Sequence, residues 1–227
     1  MKYISILALA LLLSVCSTSK NVKEEFTVDH NSPKITAGTI EVQFDKLIKI
    51  TGLRQVEITV EYYPMEDAVC LQYRLDFMTY HQFWSRDGRA AYSKALEQYK
   101  EDFEQKALSL KGGKKSRIKY GRTIGYLIWQ AFSYTERAYA KVNIDLGYDI
   151  KEISKNKAAF FTLYQREALF TNDTAKDGSS KSTLDILMYL SRAKADELAV
   201  FFDQDFLDNL ISESMKLKNN NPSLDTL

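Results

Sequence analysis

Six basic side chains, Lys111, Lys114, Lys115, Arg117, Lys119 and Arg122, fall within twelve positions without one acid, and Tyr120 and Tyr126 stand beside them. Cations interleaved with aromatic rings hold phosphates or lipid headgroups through charge and stacking, which makes these six the candidate anion or headgroup contacts. A plainer reading competes: the run balances the acidic residues Glu97, Glu101, Asp102 and Glu104 just before it and forms a solvated turn. Gly112-Gly113-Lys114-Lys115-Ser116 is not a nucleotide loop, because Leu108 stands where the first glycine is required and Lys115 where Ser or Thr must follow the lysine. Asp173, Asp177 and Gly178 match three positions of a calcium loop, yet Ala175 and Leu184 occupy two ligand positions, so the carboxylates cannot close around an ion. No metal or cofactor is expected.

The chain has two histidines, His30 and His81, which confines any His-based zinc site or Ser-His-Asp arrangement to the surroundings of His81. Amid Tyr80, Phe83 and Trp84, His81 reads as a packing or hydrogen-bonding residue. Cys70, in AVCLQYRL, reads as a small buried hydrophobe. Glu61, Glu66, Asp67 and Asp76 are available as paired carboxylates for hydrolysis of an envelope polymer, but spacing alone places no two of them across a cleft. No catalytic residue is assigned, and the chain is read as more binding protein than enzyme.

Around these residues the hydropathy pattern changes period. Ile40, Val42 and Phe44 alternate, as do Val56, Ile58, Val60 and Tyr62, and then Val69, Leu71, Tyr73, Leu75 and Phe77 after a turn at Pro64–Asp67. Period two means half-buried strands, and the second and third form a hairpin. Tyr92, Leu96, Tyr99, Phe103, Ala107 and Leu110 follow at helical spacing, with Ser85 or Asp87 as the cap and Gly112-Gly113 as the stop. Alternation returns at Ile118, Tyr120, Ile124, Tyr126 and Ile128, and again from Ala138 to Ile150; residues 158–171 are read as a strand for their aromatic content. Ser182 begins a capping arrangement for a long helical segment through Leu184, Leu187, Met188, Leu198 and Phe206 to Ile211. The expected fold is a single α+β domain over residues 35–218: a mostly antiparallel sheet of five to six strands, one helix after the first strands, a long C-terminal helical segment, and a disordered tail over 219–227. A strand-strand-helix duplication fits this order without residue-level support.

The first fifteen residues carry Lys2 and an apolar run from Ile4 to Leu13, shorter than the roughly 20 residues a spanning helix needs, and so form a signal peptide. Leu13-Ser14-Val15-Cys16 resembles the lipobox of bacterial lipoproteins, with Val15 departing from the small residue preferred before the cut. The resemblance implies a diacylglyceryl group on the Cys16 thiol and a membrane anchor; the competing expectation is cleavage after Ser17 and release as a soluble periplasmic or secreted protein. Residues 16–34 then form a polar tether.

Removing residues 1–15 takes away Lys2, leaving 30 basic against 30 acidic side chains, so net charge gives no pull toward nucleic acid. The leading expectation is an exported, lipid-anchored envelope protein acting as a non-enzymatic binding or scaffolding module with an envelope protein partner. A carrier of an apolar ligand or lipid is the alternative, motivated by 14 Tyr, 12 Phe and 2 Trp. It requires a cavity of about 300 to 1,000 Å³ between sheet and C-terminal helix.

Overall fold

The computed structural model describes residues 28–29, 31–45, 53–108, 118–131, 137–153 and 155–220, except 172–184. Eight strands run in sequence order: β1 (Ile35–Phe44), β2 (Arg54–Tyr63), β3 (Ala68–Leu75), β4 (Met78–Trp84), β5 (Ile118–Ala131), β6 (Ala138–Ile153), β7 (Asn156–Thr171) and β8 (Ile186–Leu190). Helix α1 (Arg86–Glu104) lies between β4 and β5, and α2 (Arg192–Phe202) and α3 (Gln204–Asn220) follow β8. Each strand pairs antiparallel with its neighbours, and β1 meets β8 through Gln43↔Tyr189 and Phe44↔Met188, closing the sheet into a barrel.

Closure corrects the α+β expectation. The sheet has eight strands rather than five or six, and it has no free edge. Two strands depart from the sequence pattern for separate reasons. Ahead of β4, Phe77 continues the alternation of the third run, yet that strand ends at Leu75 and Phe77 is a turn residue, 78% exposed. In β8, every residue is buried, because Ile186, Met188 and Leu190 enter the lumen while Tyr189 packs against Phe160 on the outer wall. A five-residue run buried on both faces shows no period two, and Leu187 and Met188 fit a helical stripe equally well. The C-terminal helix therefore begins at Ser191, whose hydroxyl accepts from Lys194 N at 3.3 Å, and breaks at Asp203.

Interior positions are Ile40, Val42 and Phe44; Ile58, Val60 and Tyr62; Val69, Leu71 and Tyr73; Leu127 and Trp129; Val142, Ile144, Leu146 and Tyr148; Phe161 and Leu163. Each fully buried aliphatic or aromatic side chain of this set contributes about 1.5–3 kcal/mol over its exposed state. A bulge between Lys119 and Gly121 inverts the phase of β5, so Ile124, Tyr126 and Ile128 point outward although the sequence period places them with Ile118 and Tyr120.

The outer wall carries Glu41, Gln55, Glu57, Arg74, Lys141, Asp145 and Arg166 around its girth. A transmembrane barrel needs an apolar outer band and a polar lumen. This barrel has the opposite polarity. Among the described residues, no helix is long and apolar enough to cross a membrane.

Helices α1 and α2 cap the barrel end formed by the start of β1, the end of β4 and the start of β7. Tyr92 enters the mouth, edge-on to Trp84, Phe161 and Phe202, and donates to Ala195 O at 2.8 Å. Gly38 permits this seating, since a Cβ there would stand 2.7 Å from Phe201 Cζ. Arg89, 3% exposed, fixes α1 to the β2–β3 turn: it donates to Asp67 O at 2.7 Å, Asp67 Oδ1 at 2.8 Å and Gln204 Oε1 at 2.9 Å.

Candidate functional site

Helix α1 ends sooner than its apolar stripe suggests. Lys106 adopts φ 56°, and its N–H donates to Phe103 O at 3.1 Å, so a lysine rather than the Gly112-Gly113 pair makes the left-handed stop. Phe103 is left 40% exposed on the last turn, with the Arg192 guanidinium 4.9 Å above its ring. Opposite, the first residues of β7 come past the N-terminus of α2. Between them opens a cleft of about 780 Å³, with Phe103, Leu108, Ala158, Ala159 and Phe160 as floor and Lys106, Lys157 and Arg192 against Glu104 at the edge. A smaller cavity of about 140 Å³, which includes Gln43, Gln55, Tyr189 and Lys194, shares Phe160 and Ser191 with it. Among the described residues, the Gln43 Oε1 acceptor is buried without a hydrogen-bond partner.

An apolar floor edged by three cations against one carboxylate suits a chain with an acidic head. Its size falls within the range of small-molecule sites. The lumen is a poorer host. Trp84 Nε1 donates to Gln82 Oε1 at 3.2 Å, and Gln82 Nε2 donates to Gln165 Oε1 at 3.0 Å, spanning from β4 to β7. At the end away from the helices, Tyr73 stacks on Tyr80 at 5.4 Å and leans on Phe44 at 5.1 Å, and the Tyr73 hydroxyl is a buried group with no partner among the described residues.

The sequence-derived candidates distribute unevenly. Cys16, Lys111, Lys114, Lys115 and Arg117 lie outside the described residues, as do His30 and the loop with Asp173 and Asp177. Lys119 and Arg122 sit on the outer wall and are both bonded to Asp145, at 2.8 Å and 2.6 Å, with Arg166 at 3.8 Å. Burial pushes the Asp145 carboxyl up, and the hydrogen bonds and charges of Arg122 and Lys119 outweigh it, leaving the group below its ordinary range. These two cations pair with Asp145 on the wall while their side chains stay 43% and 45% exposed.

Three of the four carboxylates considered for hydrolysis are ion-paired: Glu61 with Lys34 at 2.8 Å, Asp67 with Arg86 at 2.6 Å and Arg89 at 2.8 Å, Asp76 with Arg54 at 2.9 Å. The fourth, Glu66, accepts from Ser32. Val28 and Ser32–Lys34, within the stretch expected to be a tether, thus lie against the barrel wall, and Val28 is buried there with Tyr63 and Cys70.

His81 and Cys70 meet. Cys70 Sγ lies 4.0 Å from His81 Nδ1 on the outer wall, beside Glu61. Burial, and then the Glu61 charge, push the Cys70 thiol well above its ordinary value, with Lys34 pulling weakly the other way. A catalytic thiolate needs the reverse shift. The contact follows from the hairpins: a four-residue turn at Pro64–Asp67 pairs Tyr63 with Ala68 and so Glu61 with Cys70, and the Asp76–Phe77 turn pairs Gln72 with His81. Periodicity alone does not reveal it, because β4 is not distinct from the run before it. The rim cleft leaves no comparable trace, since Phe103 matches the core stripe of α1.

A closed antiparallel barrel with an apolar, cation-edged cleft at its capped rim is compatible with a binding or carrier module for apolar ligands. The chain belongs to the family described as an uncharacterised Treponema protein, which matches residues 17–209. No curated protein and no solved structure matches it.

Proposed function

We propose that this protein binds an amphiphile with an acidic head, such as a fatty acid or lysophospholipid, in the rim cleft, and does so as a lipid-anchored module of the bacterial cell envelope. The cleft carries the reading: its apolar floor at Phe103, Leu108 and Phe160 shelters an acyl chain, while Lys106, Lys157 and Arg192 meet the head. Desolvated acyl carbon contributes about 0.8 kcal/mol per CH₂ and micromolar binding needs about 8 kcal/mol, so about ten seated methylenes, fewer by whatever the paired head contributes, reach that strength. The anchor rests on the leader and on Cys16, the head of a lipobox-like stretch; it would keep the cleft within reach of a bilayer that supplies such ligands.

A fluorescent fatty-acid analogue titrated into the protein tests the cleft. Saturable binding, weakened at least tenfold in Lys157→Glu/Arg192→Glu and retained in Lys141→Glu, toward the opposite end of the neighbouring strand β6, is expected. Equal binding by both variants overturns the proposal. Metabolic labelling with a clickable fatty acid tests the anchor: label on the wild type and none on Cys16→Ser is expected, and an unlabelled, freely soluble product removes it. Crosslinking from membranes separates this role from protein scaffolding.

A further inference from the structure

We propose that Glu61, Cys70 and His81 form a metal site on the outer wall that takes one zinc-class divalent cation. The three residues come from three consecutive strands and point the same way. Glu61 stands directly across from Cys70 in the β2–β3 ladder, while His81, paired with Gln72, lies diagonal to Cys70 in the β3–β4 ladder. One oxygen, one sulfur and one nitrogen, all within 4.8 Å of one another, are thereby gathered by strand register alone. That mixed donor set selects zinc or its relatives over calcium and magnesium, which take oxygen ligands.

The distances fit. Metal–sulfur and metal–nitrogen bonds of about 2.3 and 2.0–2.1 Å at a tetrahedral angle place S and N about 3.5 Å apart. The present 4.0 Å between Sγ and Nδ1 closes to that by a small side-chain rotation. A collar of Tyr63, Ala68, Phe83 and Ile128, with Val28 from the N-terminal segment, keeps the site apolar. Such a surround lowers the local dielectric and so strengthens each metal–ligand interaction.

Charge closes as well. The Cys70 thiol gives its proton to solvent on binding, and thiolate plus the Glu61 carboxylate then neutralise a divalent ion. At present Glu61 is neutralised by a different cation, the Lys34 ammonium, 2.8 Å from Oε1. Its side chain is 43% exposed and so can swing away. The metal and Lys34 therefore compete for the same carboxylate. Three protein donors leave the fourth position to water, the arrangement of an open site rather than a sealed structural one.

Cobalt(II), a zinc surrogate with visible spectra, tests this in untagged full-length protein carrying Cys16→Ser, so that Cys70 is the remaining thiol. One equivalent is expected to produce a thiolate-to-cobalt charge-transfer band together with tetrahedral d–d bands, both displaced by zinc. His81→Ala and Glu61→Gln should each weaken binding at least tenfold, and Lys34→Gln should tighten it severalfold. Cys70→Ser should abolish the charge-transfer band; because that buried position tolerates change poorly, His81→Ala and Lys34→Gln, at more accessible positions, decide the question if it fails to fold. Absence of the charge-transfer band in the wild type, or cobalt affinity unchanged in His81→Ala and Lys34→Gln, overturns the site. Fatty-acid binding at the rim is read in the same samples and should not change, so this site and the cleft stand or fall separately.

Discussion

The rim cleft and the Glu61–Cys70–His81 cluster are built by different rules. The cluster is a product of ladder register: two short turns fix which residues face each other, and a side chain on β2 has no choice but to meet its counterparts on β3 and β4. The cleft is a product of incomplete packing, where α1 stops at Gln105, α2 starts at Ser191, and the first residues of β7 fail to fill the gap. Register errors move whole faces, so the wall cluster is rigid with the barrel. The cleft depends on how two helices sit on a rim, which makes it the more easily disturbed of the two.

Loosening the helices should break this comparison most visibly. Asp67→Ala leaves the buried Arg89 guanidinium without its carboxylate; the loss is about 3 kcal/mol, at the low end for a broken buried pair because Asp67 is 32% exposed. Urea unfolding measures it. In the protein that remains folded, fatty-acid affinity should drop while cobalt binding holds. Loss of both together would show that the wall also depends on the helix cap.

Next in size is the lumen. Gln82→Leu takes the acceptor from the Trp84 indole and the amide donor from Gln165, with an expected cost of about 1–3 kcal/mol by thermal melting. The Gln82→Leu/Gln165→Leu double variant should recover part of it, and more than additive loss would refute the bridge.

Acid should act at the helix anchor, as at Asp145 on the wall, whose carboxyl is also held low. Burial pushes the Asp67 carboxyl up, but the hydrogen bonds and charges of Arg89 and Arg86 prevail and hold it below its ordinary range. A group whose pKa is lower in the folded state stabilises fully above its unfolded pKa, about 4, and loses that contribution as pH falls through the folded value. Urea midpoints should therefore be level from pH 7 to about 5 and decline below 4. Asp67→Asn should flatten the decline, and an unchanged slope would assign it elsewhere.

The smallest effects lie at single side chains. Lys106→Gly relieves a left-handed lysine and should stabilise by up to about 1 kcal/mol, yet weaken the acidic amphiphile by removing one rim charge. Lys119→Gln should change stability by less than about 0.5 kcal/mol, because Arg122 still holds Asp145 and both cations are exposed.

Sequence makes parts of this molecule legible and hides others for physical reasons. The alternation from Ala138 to Ile150 is readable because one face enters the lumen and the other meets water. The aromatic content of residues 158–171 points to the strand that the fold contains, and the Ser85 cap is visible in the same way. Barrel closure is not legible, since it rests on β8, whose neighbours cover both faces, and on β4, concealed behind a two-residue turn. A bulge such as that at Lys119/Gly121 shifts phase without leaving a mark in composition. The cleft is hidden because an exposed Phe103 at a helix end has the same spacing as a buried one.

The amide bridge between Gln82 and Gln165 carries one last implication. It works as a tie rod across the tube, and a greasy tail threading down the axis would have to cut it. An amphiphile of the proposed kind would therefore exchange at the margin, leaving the bridge across the barrel's centre closed.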